Sequence, residues 1–343
     1  MAHPTKHEES SGQAKFYEGL QLALQGHYEE ALAAFGRALD ADGSDEDALA
    51  GRITALRLLK RWEEAEQRSQ EAVDAHPDRA KLWVERGWVF SDRQQWEEAL
   101  AAFGRALDAD GSDEDALAGR ITALRSLKRW EEAEQRSREA VDAHPDRAKL
   151  WVERGWVFSD RQQWEEALAA FGRALDADGS DEDALAGRIT ALRSLKRWEE
   201  AEQRSQEAVD AHPDRADLWV QRGWVFSDRQ QWEEALAAFG QAGKVDADLA
   251  DVSTGVGAVA FGREDYALAE THFRSALEKL ETNDVALTNL SWSLIRQDSE
   301  EKMGEADTLC RTALSLNKAS SSAYNCLGVI AYLRGKLGQA SHI

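Results

Sequence analysis

Eight histidines, two cysteines and 64 carboxylates would suffice for most site chemistry, yet their spacing supports none of it. The chain has no Gly-rich phosphate loop with a lysine, no nucleophile elbow, no His-Glu-x-x-His and no Cys-x-x-Cys. His76, His144 and His212 are three copies of one His-Pro turn, whereas a metal site needs several converging ligands. The acidic runs 40–47 and 108–115 superficially resemble a calcium loop. Setting Gly43 or Gly111 at its required sixth place puts Ala38 or Ala106 first and Leu49 or Leu117 last, so the ligand pattern fails. Both runs read as solvated turns that supply helix N-cap acids. No catalytic residue, cofactor or metal is therefore expected, and the chain reads as a non-enzyme.

Two other patterns bear on binding. Arg52, Arg86, Arg120, Arg154, Arg188 and Arg222 recur at one constant step. Like charges buried together are costly, so each is expected to snorkel or to meet a neighbouring Glu or Asp. Trp88, Trp156, Trp224 and Trp292 recur at twice that step, the last in a stretch much diverged from the others. Large aromatics serve equally as core fillers and as interface anchors, and both readings stand at this point.

The elements that position these residues follow from one sentence of sequence, Trp96-Glu-Glu-Ala-Leu-Ala-Ala-Phe103. It recurs from Tyr28, Trp164 and Trp232, and a cousin, Trp-Glu-Glu-Ala-Glu-Gln-Arg-Ser, starts midway at Trp62, Trp130 and Trp198. The period is therefore the step from Trp62 to Trp96, the same one that spaces the arginines, and self-similarity on this scale marks a repeat array. Within it, Trp96, Ala99, Leu100, Phe103, Ala106 and Leu107 trace one helix face. Trp83, Gly87 and Phe90 trace another, and a polar turn at 92–95 joins the two into an antiparallel pair. Gly111 in one repeat type and Pro145 in the other stop the second helix. A helix pair this short cannot bury its own apolar face, so neighbouring repeats complete the core.

Repeats begin near 12, 46, 80, 114, 148, 182, 216, 250, 284 and 321, the last step lengthened by an insertion in the turn 297–303. Residues 1–11 are polar and aperiodic and are expected to form a flexible tail. Residues 12–343 form a tandem array of about ten repeats, the last incomplete and stopping at 338–343 inside its second helix.

The net charge of −22 and pI near 4.8 disfavour nucleic acid and anionic membranes, which reward clustered Lys and Arg. No segment is apolar enough for a signal peptide or a membrane span. A cytoplasmic location is expected, with Cys310 and Cys326 as small buried hydrophobes. Over residues 114–181 the first helices hold 4 basic against 2 acidic and 3 against 2, while the second helices hold 3 against 6 and 1 against 5. The first-helix layer is thus slightly basic and the second-helix layer strongly acidic.

The repeat Trp83-Val-Glu-Arg-Gly87-Trp-Val-Phe90, followed by Ala99, Phe103 and Ala106, resembles a tetratricopeptide repeat of the tandem, bacterial type, and the likeness covers nearly the whole chain. Arg86 and Arg120 stand where that pattern has Leu, Ile121 and Ser291 where it has Gly, and Ser137 where Phe103 stands in the alternate repeat. The resemblance implies an all-α fold, an α-solenoid wound as a right-handed superhelix of antiparallel helix pairs whose first helices line a concave groove. It also implies a non-catalytic scaffold that binds a peptide or protein segment there. Placed in that groove, Trp88, Trp156, Trp224 and Trp292 would be anchors flanked by Lys81, Lys149, Arg57, Arg125 and Arg193. The expected partner is neutral to acidic with apolar anchors. Two alternatives are a sensor or regulatory region of a larger protein, and end-to-end self-association of near-identical repeats.

Overall fold

The computed structural model describes residues 6–297, 299–316 and 320–340. All regular structure among the described residues is helical, in nineteen helices without a strand. Two compact units divide the chain at 181/182. The first holds α1 (Lys6–Leu24), α2 (Tyr28–Ala41), α3 (Glu46–Leu58), α4 (Trp62–Ala75), α5 (Ala80–Asp92), α6 (Trp96–Ala109), α7 (Glu114–Ser126), α8 (Trp130–Ala143), α9 (Ala148–Asp160) and α10 (Trp164–Ala177). The second holds α11 (Glu182–Ser194), α12 (Trp198–Ala211), α13 (Ala216–Asp228), α14 (Trp232–Val245), α15 (Ala250–Gly262), α16 (Tyr266–Lys279), α17 (Asp284–Ile295), α18 (Glu300–Leu316) and α19 (Ser321–Ala340). Within each unit every helix packs on its successor, and first helices of successive pairs also touch, which is the all-α solenoid arrangement.

Local chemistry sets the boundaries. Second helices other than α18 open on an aromatic followed in most repeats by two glutamates, such as Glu97 and Glu98, where the helix dipole favours anions. Between the helices of a pair the chain reverses through a residue of positive φ, Lys60 at 56° and Gln94 at 59° among them, with Gly26 doing so at 79°. The Arg61 N–H then reaches back to the Leu56 carbonyl at 2.9 Å and closes the exposed helix end. Two devices alternate between repeats. After α6, the Asp110 carboxylate accepts the Ser112 N–H and hydroxyl at 2.9 and 2.7 Å, and after α4 the Trp83 indole donates to the Pro77 carbonyl at 2.9 Å.

The core is a series of local clusters, each at a junction between neighbouring repeats. At one kind of junction a fully buried phenylalanine is clamped between glycines. A Cβ added to Gly87 or Gly119 would lie 2.5 Å from the Phe103 ring, and Phe35 and Phe239 are held by Gly19 with Gly51 and by Gly223 with Gly255. At the other kind, Ser69 stands where Phe103 stands and Ile53 where Gly87 stands, both fully buried, so bulk has moved from one helix to the other.

Three boundaries differ from expectation. Helix α1 begins at Lys6, so the helical assignment includes residues 6–11 of the expected tail, where Lys and Glu lose little rotamer freedom in a helix. Residues 1–5 lie outside the described part. The insertion near 299 is taken up as an extra turn of α18, which runs 17 residues against 14 in α16, because its Met303 is buried and its Glu and Lys are good helix formers. Helix α19 is unbroken from Ser321 to Ala340, so the turn expected before Gly338 is absent. The positive φ that breaks seven earlier repeats at Lys60, Gln94, Lys128, Gln162, Lys196, Gln230 and Glu264 is missing at its counterpart, Gly335, which is helical. The end of the array at 341–343 lies outside the described residues.

Candidate functional site

The sequence places every candidate binding residue on first helices, and the structure sets most of them between successive first helices of a unit. Trp88 is half-buried with its ring edge-on to Phe103, centroids 5.0 Å apart at 71°. Trp156 meets Phe171 at 5.0 Å and Trp224 meets Phe239 at 5.4 Å in the same way. Such edge-to-face pairs contribute about 0.5 to 1.5 kcal/mol beyond burial. Trp292 packs into the cluster around Phe273 and donates its indole N–H to the Ser322 hydroxyl at 3.3 Å. Each indole therefore has a structural contact on one side and partial exposure on the other.

The five cations are not free. Arg57 donates from Nε to Asp92 at 2.8 Å and from Nη1 to Glu85 at 3.3 Å, and Glu85 also accepts the Thr54 hydroxyl at 2.8 Å. The same network recurs as Arg125 with Asp160, Glu153 and Thr122. In the third copy Arg193 keeps Asp228 at 2.9 Å, but Gln221 replaces the glutamate, and Arg193 also lies 5.8 Å over the Trp224 ring. Lys81 pairs with Asp47 and Lys149 with Asp115, both largely exposed and so of small energetic weight. Burial pushes the carboxyls of Glu85 and Glu153 above their ordinary value, against the pull of Arg57 and Arg125. In the third copy Asp217 stands in place of Lys81 and Gln221 in place of Glu85, so the lysine that helps hold the buried carboxylate and the carboxylate itself are absent together.

The acids that hold these cations, Glu85, Glu153, Asp92, Asp160, Asp47 and Asp115, were not among the residues sequence reasoning selected. Their signal was available: they recur with the same two-repeat step as Arg57 and Arg125. The arginine ladder also divides differently from expectation. Arg86 and Arg222 donate to the Ser69 and Ser205 hydroxyls at 3.2 Å and stack over Phe90 and Phe226 at 4.7 and 4.8 Å, so hydroxyls and rings take the place of the expected carboxylates. Arg52, Arg120 and Arg188 keep a buried Nε without an acceptor.

Trp83, Trp151 and Trp219 lock inter-repeat turns through Pro77, Pro145 and Pro213. Cys310 and Cys326 are fully buried side by side near Ser291. No group of three or more His, Cys, Asp and Glu among the described residues could hold a metal ion, and no described helix is long and apolar enough to cross a membrane.

Family models described as tetratricopeptide repeat match residues 22–83, 84–148, 152–216 and 220–284, well over half of the chain. No curated protein matches it. Among solved structures, a tetratricopeptide repeat protein from Parabacteroides merdae ATCC 43184 is 15% identical with a TM-score of 0.57, over 73% of this chain and 99% of its own. Yeast Tom70 is 14% identical with a TM-score of 0.54, over 97% of this chain and 90% of its own. At these identities the likeness is one of fold alone. Helix pairs on one constant period, the clamped phenylalanines and the family models converge: the chain belongs to the tetratricopeptide repeat family.

Proposed function

We propose that this chain is a non-catalytic interaction scaffold that binds a protein segment along its first-helix layer. The observation that carries the reading is the set of half-buried indoles Trp88, Trp156, Trp224 and Trp292, recurring at one position of alternate first helices. Rigid aromatic edges at regular intervals suit an extended or helical segment with apolar anchors, and repeated contacts add avidity. Because Lys81, Lys149, Arg57, Arg125 and Arg193 already have acceptors, the preferred partner shifts from neutral-or-acidic towards neutral. Charge in this layer fixes the helices to one another, and the indoles read the partner. The proposed setting is the cytoplasm, where a net charge of −22 favours solubility.

The test is a displayed peptide library selected on the whole chain, with binders measured again on a Trp88→Ala/Trp156→Ala variant. Binders lost while the variant stays folded at the working temperature support the reading. Binders indifferent to both indoles overturn it.

A second reading, end-to-end self-association, draws on exposed apolar side chains: Tyr17, Leu20 and Leu24 on α1, Tyr324 and Tyr332 on α19. Gly328 of α19 has open space where Gly87 has the Phe103 ring. Light scattering across a concentration series decides it, since a constant mass excludes self-association.

A further inference from the structure

In the second unit a pocket of about 360 Å³ opens between α14, α15 and α16. Its apolar walls include Leu236 of α14, Val256 and Ala260 of α15 and Leu268 of α16, and the exposed Arg263 and Asp265 of the intervening turn complete it. It lies where the cluster around Phe239 gives way to the cluster around Phe273.

This repeat departs from its neighbours at the very places that form the pocket. The position of Ala260 holds Phe or Leu in every first helix from α3 to α13, and Leu294 in α17. A methyl in place of those large side chains leaves space. The position of Val256 holds an arginine in six successive repeats, from Arg52 to Arg222, and that of Leu268 a glutamate in seven, from Glu30 to Glu234. Both changes turn a charged place apolar, and Leu268 stands 45% exposed. In the next repeat the matching Leu290 and Leu294 are fully buried, so general divergence does not by itself leave apolar surface open.

The turn changes in the opposite sense. Glu264 and Asp265 stand where earlier repeats have Gln94 with Gln95 or Lys128 with Arg129. The Asp265 carboxylate accepts the Leu268 N–H at 3.0 Å, and Arg263 is engaged by Glu233 at 3.1 Å. The rim therefore carries three carboxylates, Glu233, Glu264 and Asp265, against the one guanidinium of Arg263.

We propose that this pocket takes a single large apolar side chain, Leu or Phe, of a basic protein segment whose neighbouring Lys or Arg meets the acidic rim. An apolar pocket under a negative rim selects an apolar group joined to a cation, and a chain of net charge −22 draws such a partner in. The volume is at the small end of ligand cavities, with room for one anchor side chain. The pocket shares no residue with the indoles Trp88, Trp156, Trp224 and Trp292, so it is a second surface, with a partner of different charge.

The test titrates the intact chain with a blocked helical peptide of Lys, Ala and Gln bearing one central Phe, followed by methyl NMR and calorimetry. The methyls of Leu236, Val256 and Leu268 should shift while those of Leu56 and Leu124 stay still. Replacing the peptide's Phe by Ala should weaken binding by about tenfold or more, the scale of an unburied aromatic side chain. Ala260→Leu, which restores the side chain of Leu56 and Leu124, should close the pocket and abolish binding. Should that variant fail to fold, the exposed Leu268→Gln serves instead and should weaken binding several-fold. Glu264→Gln should weaken it by about two- to fivefold and lessen its salt dependence. Gln94 already occupies the same turn position at a φ of 59°, so the fold tolerates this change. Binding should survive Trp88→Ala/Trp156→Ala, which separates this site from the indoles. The proposal is overturned by absence of shifts at millimolar peptide, by equal binding of the Phe-free peptide, or by equal binding of a peptide with Glu in place of Lys. Undiminished binding to Ala260→Leu or Leu268→Gln also overturns it, as does tighter binding of the free amine 4-phenylbutylamine, which would mark a small-molecule site.

Discussion

The junction around Phe103 and the junction around Ser69 solve one packing problem with opposite distributions of bulk. At the first, a ring from the second helix fills the space and glycines on two first helices make way for it. At the second, the second helix contributes only a hydroxyl, Ile53 fills from one side and the Arg86 guanidinium reaches Ser69 from the other, stacked on Phe90. The apolar junction is held by shape and the polar one by hydrogen bonds. Equal helix geometry therefore conceals unequal sensitivity to substitution.

The widest separation between the two should come from truncation. Phe103→Ala is expected to cost about 3 to 5 kcal/mol, whereas Ser69→Ala, which leaves the Arg86 donor without its hydroxyl, should cost about 1 to 3 kcal/mol. Urea denaturation of both variants measures the difference. Hydrogen exchange should localise the first effect to α5, α6 and α7, since contacts run between neighbours. Equal losses would erase the contrast between junctions.

Transplanting one junction into the other sharpens the comparison. Ser69→Phe alone should cost about 1 to 3 kcal/mol by overpacking against Ile53. Adding Ile53→Gly and Glu85→Gly, which recreate the glycine pair, should recover part of that loss, with a coupling of about 0.5 to 3 kcal/mol. A purely additive outcome in thermal or urea unfolding would show that the glycines and the ring do not act as a set.

Glycines themselves give a comparison of sign. Gly119→Ala pushes a methyl to 2.5 Å from the Phe103 ring and should destabilise by about 1 to 3 kcal/mol. Gly104→Ala meets nothing within 4 Å and should stabilise by about 0.5 to 1 kcal/mol. Melting temperatures of the two variants should move in opposite directions.

The smallest effect separates two glutamates by pH. Glu85 is pushed above its ordinary 4.5 by burial, so the folded chain holds that proton more tightly than the unfolded chain. Its contribution is greatest below 4.5 and declines as pH rises from there through the folded value. Glu270 goes the other way: burial opposes, but Lys302, Gln297 and Arg274 bring it down to about 2, so its contribution stands above 4.5 and is lost as pH falls through about 2. Glu85→Gln should flatten the fall towards neutral pH, and Glu270→Gln should flatten the fall on the acid side. Melting temperatures recorded against pH for both variants check this, and identical profiles would contradict it.

Most of the fold was legible because period and helix face are one-dimensional properties. The step from Trp62 to Trp96 fixes the repeat, and Ala99, Phe103 and Ala106 fix the buried face. The partners of charged residues were less legible, because Arg57 finds Glu85 and Asp92 one repeat away, at separations of 28 and 35 residues that no single-helix rule connects. The division of the arginine ladder was hidden for a related reason: whether Arg86 or Arg120 is satisfied depends on which side chain the preceding second helix offers. The extra turn of α18 was misread as loop because an insertion rich in Glu and Lys looks polar until Met303 is seen to be buried.

The alternation of junctions also bears on how such a gene can change length. Removing one repeat, the fourth for example, would bring Glu153 to the place of Gly119 opposite Phe103, and the ring would meet a glutamate instead of a glycine. Removing two consecutive repeats restores the match. Unequal recombination within the alternating repeats therefore keeps every junction matched in even steps, whereas an odd step leaves one mismatched junction to be absorbed.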